Sequence, residues 1–371
     1  MATGVHVPAG WGQGWAQATF EANARRVHVI SFGASVQEGY NSTNRWELPW
    51  VNLVRKAMQD RWGDGGCGYR SVSESPSAAL YGPYQITDFG AWSPSLGGLT
   101  QAILTPTSGR GISAKRIWGE EVLLWYQPGP AGFGEIYSII DDDDGFWPQQ
   151  WLFGRQAYIP VSQLMRLGPD NPRDIALSLV GDGAILNGIE GRNRLGIAVH
   201  NFARYSTEAS LINVEAYAGA PPDETVGDMI FRRNFYRPDL FLYGDMGIND
   251  WVNEVPTATV QANVARAFDL AIGANPDVDI VGQITHPGNV PGWPYGTWPA
   301  YYAALLEVYQ DYGVAIVDQW ERSGFSSAYV TDNNIVDDGV HPTDYGHTWY
   351  AEPHIRLLTR GIREGSLPLA S

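Results

Sequence analysis

One cysteine, Cys67, and two lysines, Lys56 and Lys115, are all that the 371 residues hold of these types. A lone thiol excludes an internal disulfide and any metal cluster built from several cysteines. Cys67 sits among glycines with no His or Lys beside it in sequence, so it reads as buried and inert. Charged residues are sparse, at 17%, and one-sided, with a net charge of −16. That balance argues against nucleic acid or anionic membranes as partners, because phosphate binding needs clustered cations. No apolar run approaches the ~20 residues of a membrane span. The stretch Met1 to Arg26 lacks the charged-then-apolar order of a secretion signal, so the expectation is a cytoplasmic chain, one exported by another route, or part of a virion or other particle released by lysis. H-E-x-x-H and paired His at i, i+4 are also missing, and no metal or other cofactor is expected.

What is present suits a large soluble protein. Hydrophobic residues make up 44%, and the length favours one large domain with an insertion, or two domains. Residues 1–26 read as an N-terminal arm that either packs on the domain or attaches to a particle or oligomer partner. Val27–Phe32 reads as a buried strand ended by Gly33, and a helix with apolar residues at helical spacing covers about Trp46 to Trp62. From about Ser71 to Asn193 the texture changes to Gly, Pro, Ser and short alternating runs, such as Glu121–Tyr126 and Ile175–Val180. Asp141-Asp142-Asp143-Asp144-Gly145 lies between two such runs and reads as a hairpin turn, since it lacks the spaced ligands of a Ca²⁺ loop. Strands then alternate with helices again: Leu195–His200, Leu240–Gly244, a helix over 257–272, Val278–Thr285, a helix over 300–312, Val314–Val317 and a closing helix from Thr343. Pro353 should kink or split that last helix. The alternation predicts a three-layer α/β fold with a parallel sheet, interrupted by a β-rich sandwich or jelly roll.

Chemistry-bearing residues fall in the segments after these strands. Asp338-Gly339-Val340-His341-Pro342 places an Asp three residues before a His, so its carboxylate can meet the imidazole Nδ1–H and fix the tautomer. Such a base needs a nucleophile, and Ser35, just past the first strand, is the candidate. Ser35 could equally be a helix N-cap, and Asn249 and Asp250 could be turn formers. His200 and His286 end strands and could edge a pocket, with core packing as the plainer reading; His347 and His354 read as structural or exposed.

Three motifs stand in one order: G-A-S at 33–35, G-I-N-D at 247–250 and D-G-V-H-P at 338–342. Together they resemble the SGNH (GDSL-type) hydrolases, over roughly residues 27–70 and 195–360. The resemblance implies a flavodoxin-like three-layer sandwich with Ser35 as nucleophile, His341 as general base and Asp338 as its orienting carboxylate. It also implies oxyanion donors at the Ser35 N–H, the Asn249 side-chain amide and the backbone N–H of Ser206. Ala34 stands where the family usually has Asp, and Ser206 where it usually has Gly. A narrower resemblance, carried by Arg61–Tyr69 and the β-rich stretch after it, is to the subgroup acting on O-acetyl groups of bacterial cell-wall or exopolysaccharide glycans.

On this reading residues 27–75 and 193–371 form a discontinuous hydrolase domain, and 76–192 an inserted domain resembling a carbohydrate-binding module. The expected function is a metal-independent serine esterase removing small acyl groups, acetyl foremost, from an acylated polysaccharide or cell-wall glycan. The alternative is a glycan-binding pseudo-enzyme, or a phage tail or other particle component that recognises the bacterial surface.

Overall fold

The computed structural model describes residues 4–44, 47–71, 184–215, 225–233 and 237–360, with segments 84–86, 92–95, 103–106, 111–128, 134–141, 147–153, 161–166 and 173–180 between them. A short strand β1 (Val5–His6) and helix α1 (Gln13–Glu21) precede β2 (Arg26–Phe32), helices α2 (Ser35–Glu38) and α3 (Trp50–Trp62), and β3 (Gly68–Ser71). Next come β4 (Tyr84–Ile86), β5 (Trp92–Ser95), β6 (Ile103–Pro106), β7 (Gly111–Ile117) and β8 (Glu121–Pro128). They are followed by β9 (Gly134–Asp141), β10 (Trp147–Phe153), β11 (Val161–Arg166), β12 (Arg173–Val180) and β13 (Ala184–Arg192). β14 (Gly196–Asn201), β15 (Leu240–Tyr243), β16 (Asp279–Ile284) and β17 (Ala315–Asp318) complete the strands.

The central sheet runs β17-β16-β15-β2-β14, and every neighbouring pair in it is parallel. In chain order this is the 2-1-3-4-5 arrangement of flavodoxin-like folds, whose crevice opens where the order reverses, between β2 and β15. Successive side chains of these strands go to opposite faces, and both faces are covered. Val27, Val29, Leu240 and Leu242 pack with Trp15 of α1, Trp50, Val54 and Met58 of α3, and Tyr350 and Leu357 of helix Asp344–Arg360. Ile30, Phe32, Phe241 and Tyr243 pack with Val264 and Phe268 of helix Thr257–Ala274 and with Leu305 and Tyr309 of helix Trp298–Asp311. The alternating apolar pattern read from the sequence is thus the two-faced burial of one parallel sheet.

Of the two readings of the N-terminal arm, the structure has its described residues packed on the domain. β1 pairs antiparallel with β17, with Val5 opposite Val317. Asp279 accepts from the N–H groups of Gly12 (2.8 Å) and Trp15 (2.6 Å), and the Trp15 indole donates to the Leu358 carbonyl at 3.2 Å.

The stretch from β4 to β13 is built of antiparallel strands. Five of them form a separate sheet ordered β10-β9-β12-β7-β4, while β13 pairs with β3 and so extends the central sheet past β14. β9 and β10 pair antiparallel, Ile140 opposite Trp147, as the hairpin reading of the Asp run requires. Of that run, Asp142 to Asp144 lie outside the described residues.

Pro353 does not split the last helix, which continues from Asp344 to Arg360. A proline inside a helix removes the N–H that would bond the carbonyl four residues back. Here that carbonyl belongs to Trp349, and the Arg322 guanidinium donates to it at 2.6 Å. The freed acceptor is therefore paired, and the helix holds.

Desolvation is the first cause of a lowered pKa at five histidines: His28 and His200 well below the usual 6.5, His286 and His347 to about 3, and His354 to about 4. His354 stacks on Trp50 at 4.5 Å between centroids and donates through Nδ1 to the Tyr350 carbonyl at 3.0 Å. Such a group is neutral in both states above 6.5; below that the unfolded chain takes the proton first, so stability falls as pH drops toward the folded value. Replacing His354 with Gln should therefore flatten the dependence of unfolding free energy on pH between about 4.5 and 6, by up to about 1.4 kcal/mol per pH unit. Urea titrations at several pH values measure that slope.

Candidate active site

The loops that leave β2, β14 and β15 meet at the C-terminal edge of the sheet, and the loop after residue 335 closes over them. β2 ends at Phe32, and α2 begins at Ser35, with Ala34 as its N-cap. Ser35 does not act as a cap: its Oγ lies 2.9 Å from His341 Nε2, and the residue is 4% exposed. His341 Nδ1 lies 2.6 Å from Asp338 Oδ2. Because that partner accepts, Nδ1 carries the proton and Nε2 is left as the acceptor facing the Ser35 hydroxyl. Burial raises the Asp338 carboxyl, but donation from the His341 ring and from the N–H groups of His341 and Val340 outweighs it. The net effect holds Asp338 well below the usual carboxylate range, so it is ionised at neutral pH.

The turn that carries this pair needs Gly339, whose φ is +88°. A Cβ there would come within 2.8 Å of the Asn289 carbonyl, and the Asn289 N–H donates to the Gly339 carbonyl at 2.7 Å. The neighbouring loop is held in turn by His286, whose Nδ1 accepts from the Gly288 N–H at 2.9 Å. His286 and His200 are fully buried, which is the packing reading of both. His347 and His354 are likewise core residues, and Cys67 is buried, its thiol pushed up to about 11 by burial. Tyr40 and Tyr205 flank the His341 ring, at 4.5 and 6.3 Å between centroids, and lie 5.0 Å from each other.

Asn249, in helix Ile248–Val252 after β15, is partly exposed, and its Nδ2 donates to the Thr207 carbonyl at 2.8 Å. An amide nitrogen has two hydrogens, so this bond locks the side chain and leaves one donor over. It also ties Asn249 to the loop carrying Ser206. Ser206 has φ +56°, in the left-handed region where glycine is at ease. The exchange of Gly for Ser therefore keeps the backbone N–H but carries strain. Asp250 is buried and accepts from the Ala209 N–H at 3.0 Å; burial pushes its carboxyl up to about 6. It braces the same loop from below. A residue the sequence reading passed over, Asp245, bonds the backbone on both sides of Ser35. Its position directly after Gly244, where the strand ends, was the one available signal.

Among the described residues, His6, Asp318 and Glu321 could share an ion, their ligand atoms lying within 4.8 Å of one another. All three already have protein partners: His6 Nε2 lies 2.5 Å from Glu321, and Asp318 accepts from the Tyr302 hydroxyl at 2.6 Å and the Glu321 N–H at 2.8 Å.

Residues 185–349 match the model of the GDSL-like lipase/acylhydrolase family. This chain matches that family over less than half of its length. Its class is that of a carboxylic ester hydrolase. The matched span takes in Ser206, Asn249, Asp338 and His341; Ser35 lies upstream, across the β-rich stretch. Among solved structures, a peptidoglycan O-acetylesterase is 15% identical, with 94% of this chain and 96% of that one covered and a TM-score of 0.68. That likeness establishes the shared SGNH fold. A family two carbohydrate esterase from Cellvibrio japonicus is 13% identical over 78% of this chain and 98% of that one, but at a TM-score of 0.29 it has no bearing on the fold. No curated protein matches the chain.

Exchanging Ser206 for Gly should keep activity, since the N–H remains, and relieve the left-handed strain. The net gain in stability, after the extra backbone freedom of glycine, is on the order of 0.5–1 kcal/mol. Urea midpoints and kcat measured side by side test both halves of this expectation.

Proposed function

We propose that the protein is a serine esterase that hydrolyses small acyl esters, acetyl foremost, on a bacterial envelope glycan. The observation that carries this reading is the unbroken hydrogen-bond chain Ser35–His341–Asp338. Ser35 Oγ attacks the ester carbonyl while His341 Nε2 takes its proton, and the ionised Asp338 stabilises the imidazolium that forms. The developing oxyanion is met by the N–H groups of Ser35 and Ser206 and by the spare hydrogen of Asn249 Nδ2. His341 then returns the proton to the sugar oxygen as its bond to the acyl carbon breaks, and water, activated by the same histidine, hydrolyses the acyl-enzyme.

The glycan part of the reading rests on two supports. Tyr205 stands at the rim beside His341, 39% exposed, and offers the flat apolar face on which a pyranose ring stacks. A solved structure with the same fold over most of both chains is that of a peptidoglycan O-acetylesterase. In this reading residues 27–75 and 193–371 make up the hydrolase, and 76–192 form an inserted glycan-facing unit.

Hydrolysis of p-nitrophenyl acetate by the wild type and by the Ser35→Ala and His341→Ala variants tests the assignment. Each variant should lose at least about 10⁴-fold in kcat while remaining folded, because nucleophile and base act as one unit. Asn249→Ala should lose about 10²–10³-fold, the usual worth of one oxyanion donor. Full activity in a folded Ser35→Ala protein would sink the esterase mechanism. Equal, negligible rates in wild type and variant, on acetylated cell-wall polymers as well, would favour a glycan-binding pseudo-enzyme.

A further inference from the structure

Ala34 is the N-cap of the short helix that Ser35 opens, and it has no side chain able to cap it. The first N–H groups of a helix have no partner within the helix, and a capping oxygen normally satisfies one of them. Here the oxygens come from the other side of the crevice. Asp245 lies two residues past β15, and it is fully buried. Its Oδ1 accepts from the Ala34 N–H and its Oδ2 from the Val36 N–H, each at 2.8 Å. One carboxylate thus grips the residues on either side of Ser35.

Two glycines make room for this approach. A Cβ on Gly33 would come 2.8 Å from Asp245 Oδ1 and 2.5 Å from Gln37 Oε1, and one on Gly244 would come 2.0 Å from Gln37 Oε1. The backbone at both strand ends therefore lies directly against the Gln37 side chain, and at Gly33 against Asp245 as well.

We propose that Asp245 is the positioning residue of the nucleophile turn, capping it from the facing strand in place of the side chain that Ala34 lacks. By binding the N–H groups of residues 34 and 36, it sets the turn so that the Ser35 N–H between them stays available to the oxyanion. It also holds Ser35 Oγ within reach of His341. The proposal rests on the reading of Ser35 as nucleophile.

The test compares the wild type with Asp245→Asn, which keeps one acceptor, and Asp245→Ser, which leaves space for water. Turnover of p-nitrophenyl acetate is measured alongside the rate at which diisopropyl fluorophosphate labels the protein, with the labelled residue read by peptide mass spectrometry. In folded variants KM should stay within about twofold, while kcat and the labelling rate fall together by on the order of 10²-fold, the effect of a displacement near 1 Å at a reacting group. A purely structural role would lower the melting temperature and leave both rates intact; wild-type rates in either folded variant overturn the proposal. Labelling of the wild type at a residue other than Ser35 overturns the nucleophile assignment itself. Amide exchange in the wild type needs no variant to fold: slow exchange at Ala34 and Val36 with faster exchange at Ser35 supports the proposal, and fast exchange at 34 and 36 overturns it.

Discussion

The parallel pairing of β2 with β15 is the constraint on which the rest of the site depends. After β2 the chain places β14 on one side of it, and then returns to place β15 on the other. The loops leaving the two central strands therefore part over a crevice at their C-terminal ends. Leu242 sits opposite Ser31 and Tyr243 opposite Phe32, so both strands end at the same level. The residues just past those ends, Ser35 after β2 and Asp245 and Asn249 after β15, are thereby brought face to face. A register slip of one residue would turn Phe32 and Tyr243 to the wrong layer, and the burial of both faces forbids it.

Around that crevice, polar groups are paired across segments distant in sequence. Asn249 bonds the Thr207 carbonyl, Asp250 the Ala209 N–H, and Asn289 the Gly339 carbonyl. Each bond joins a loop from one strand to a loop from another. Asp250 is buried, where an unpaired carboxylate is expensive, and together these bonds tie the loops to one another. Pro353 and Arg322 follow the same rule at a distance from the chemistry: the helix survives its proline because a side chain from another element takes over the freed carbonyl. The left-handed Ser206 shows backbone strain retained beside the site.

Much of this was legible in the chain. The apolar runs at 27–32 and 240–244 and the helical spacing at about 46–62 and 257–272 mark elements, found at 26–32, 240–243, 50–62 and 257–274, because a buried strand and a half-buried helix expose different periods. The Asp338/His341 pair was legible because the contact is local, made within a single turn. Asp245 was not, since an Asp after a strand is an ordinary loop residue until the facing backbone is known. The survival of the helix through Pro353 was equally invisible, because its remedy lies on Arg322, in another element.

By itself, then, the sequence determined the layers, the strand edges and which residues offer reactive chemistry, all of which come from short-range periodicity and residue type. The tertiary structure alone decided that Ser35 meets His341 across a separation of 306 residues, and that Asp245 grips the turn between Ala34 and Val36. Those contacts depend on the order and register of strands in the sheet. Long-range pairing sets them, and no local pattern in the chain encodes a distance between residues so far apart.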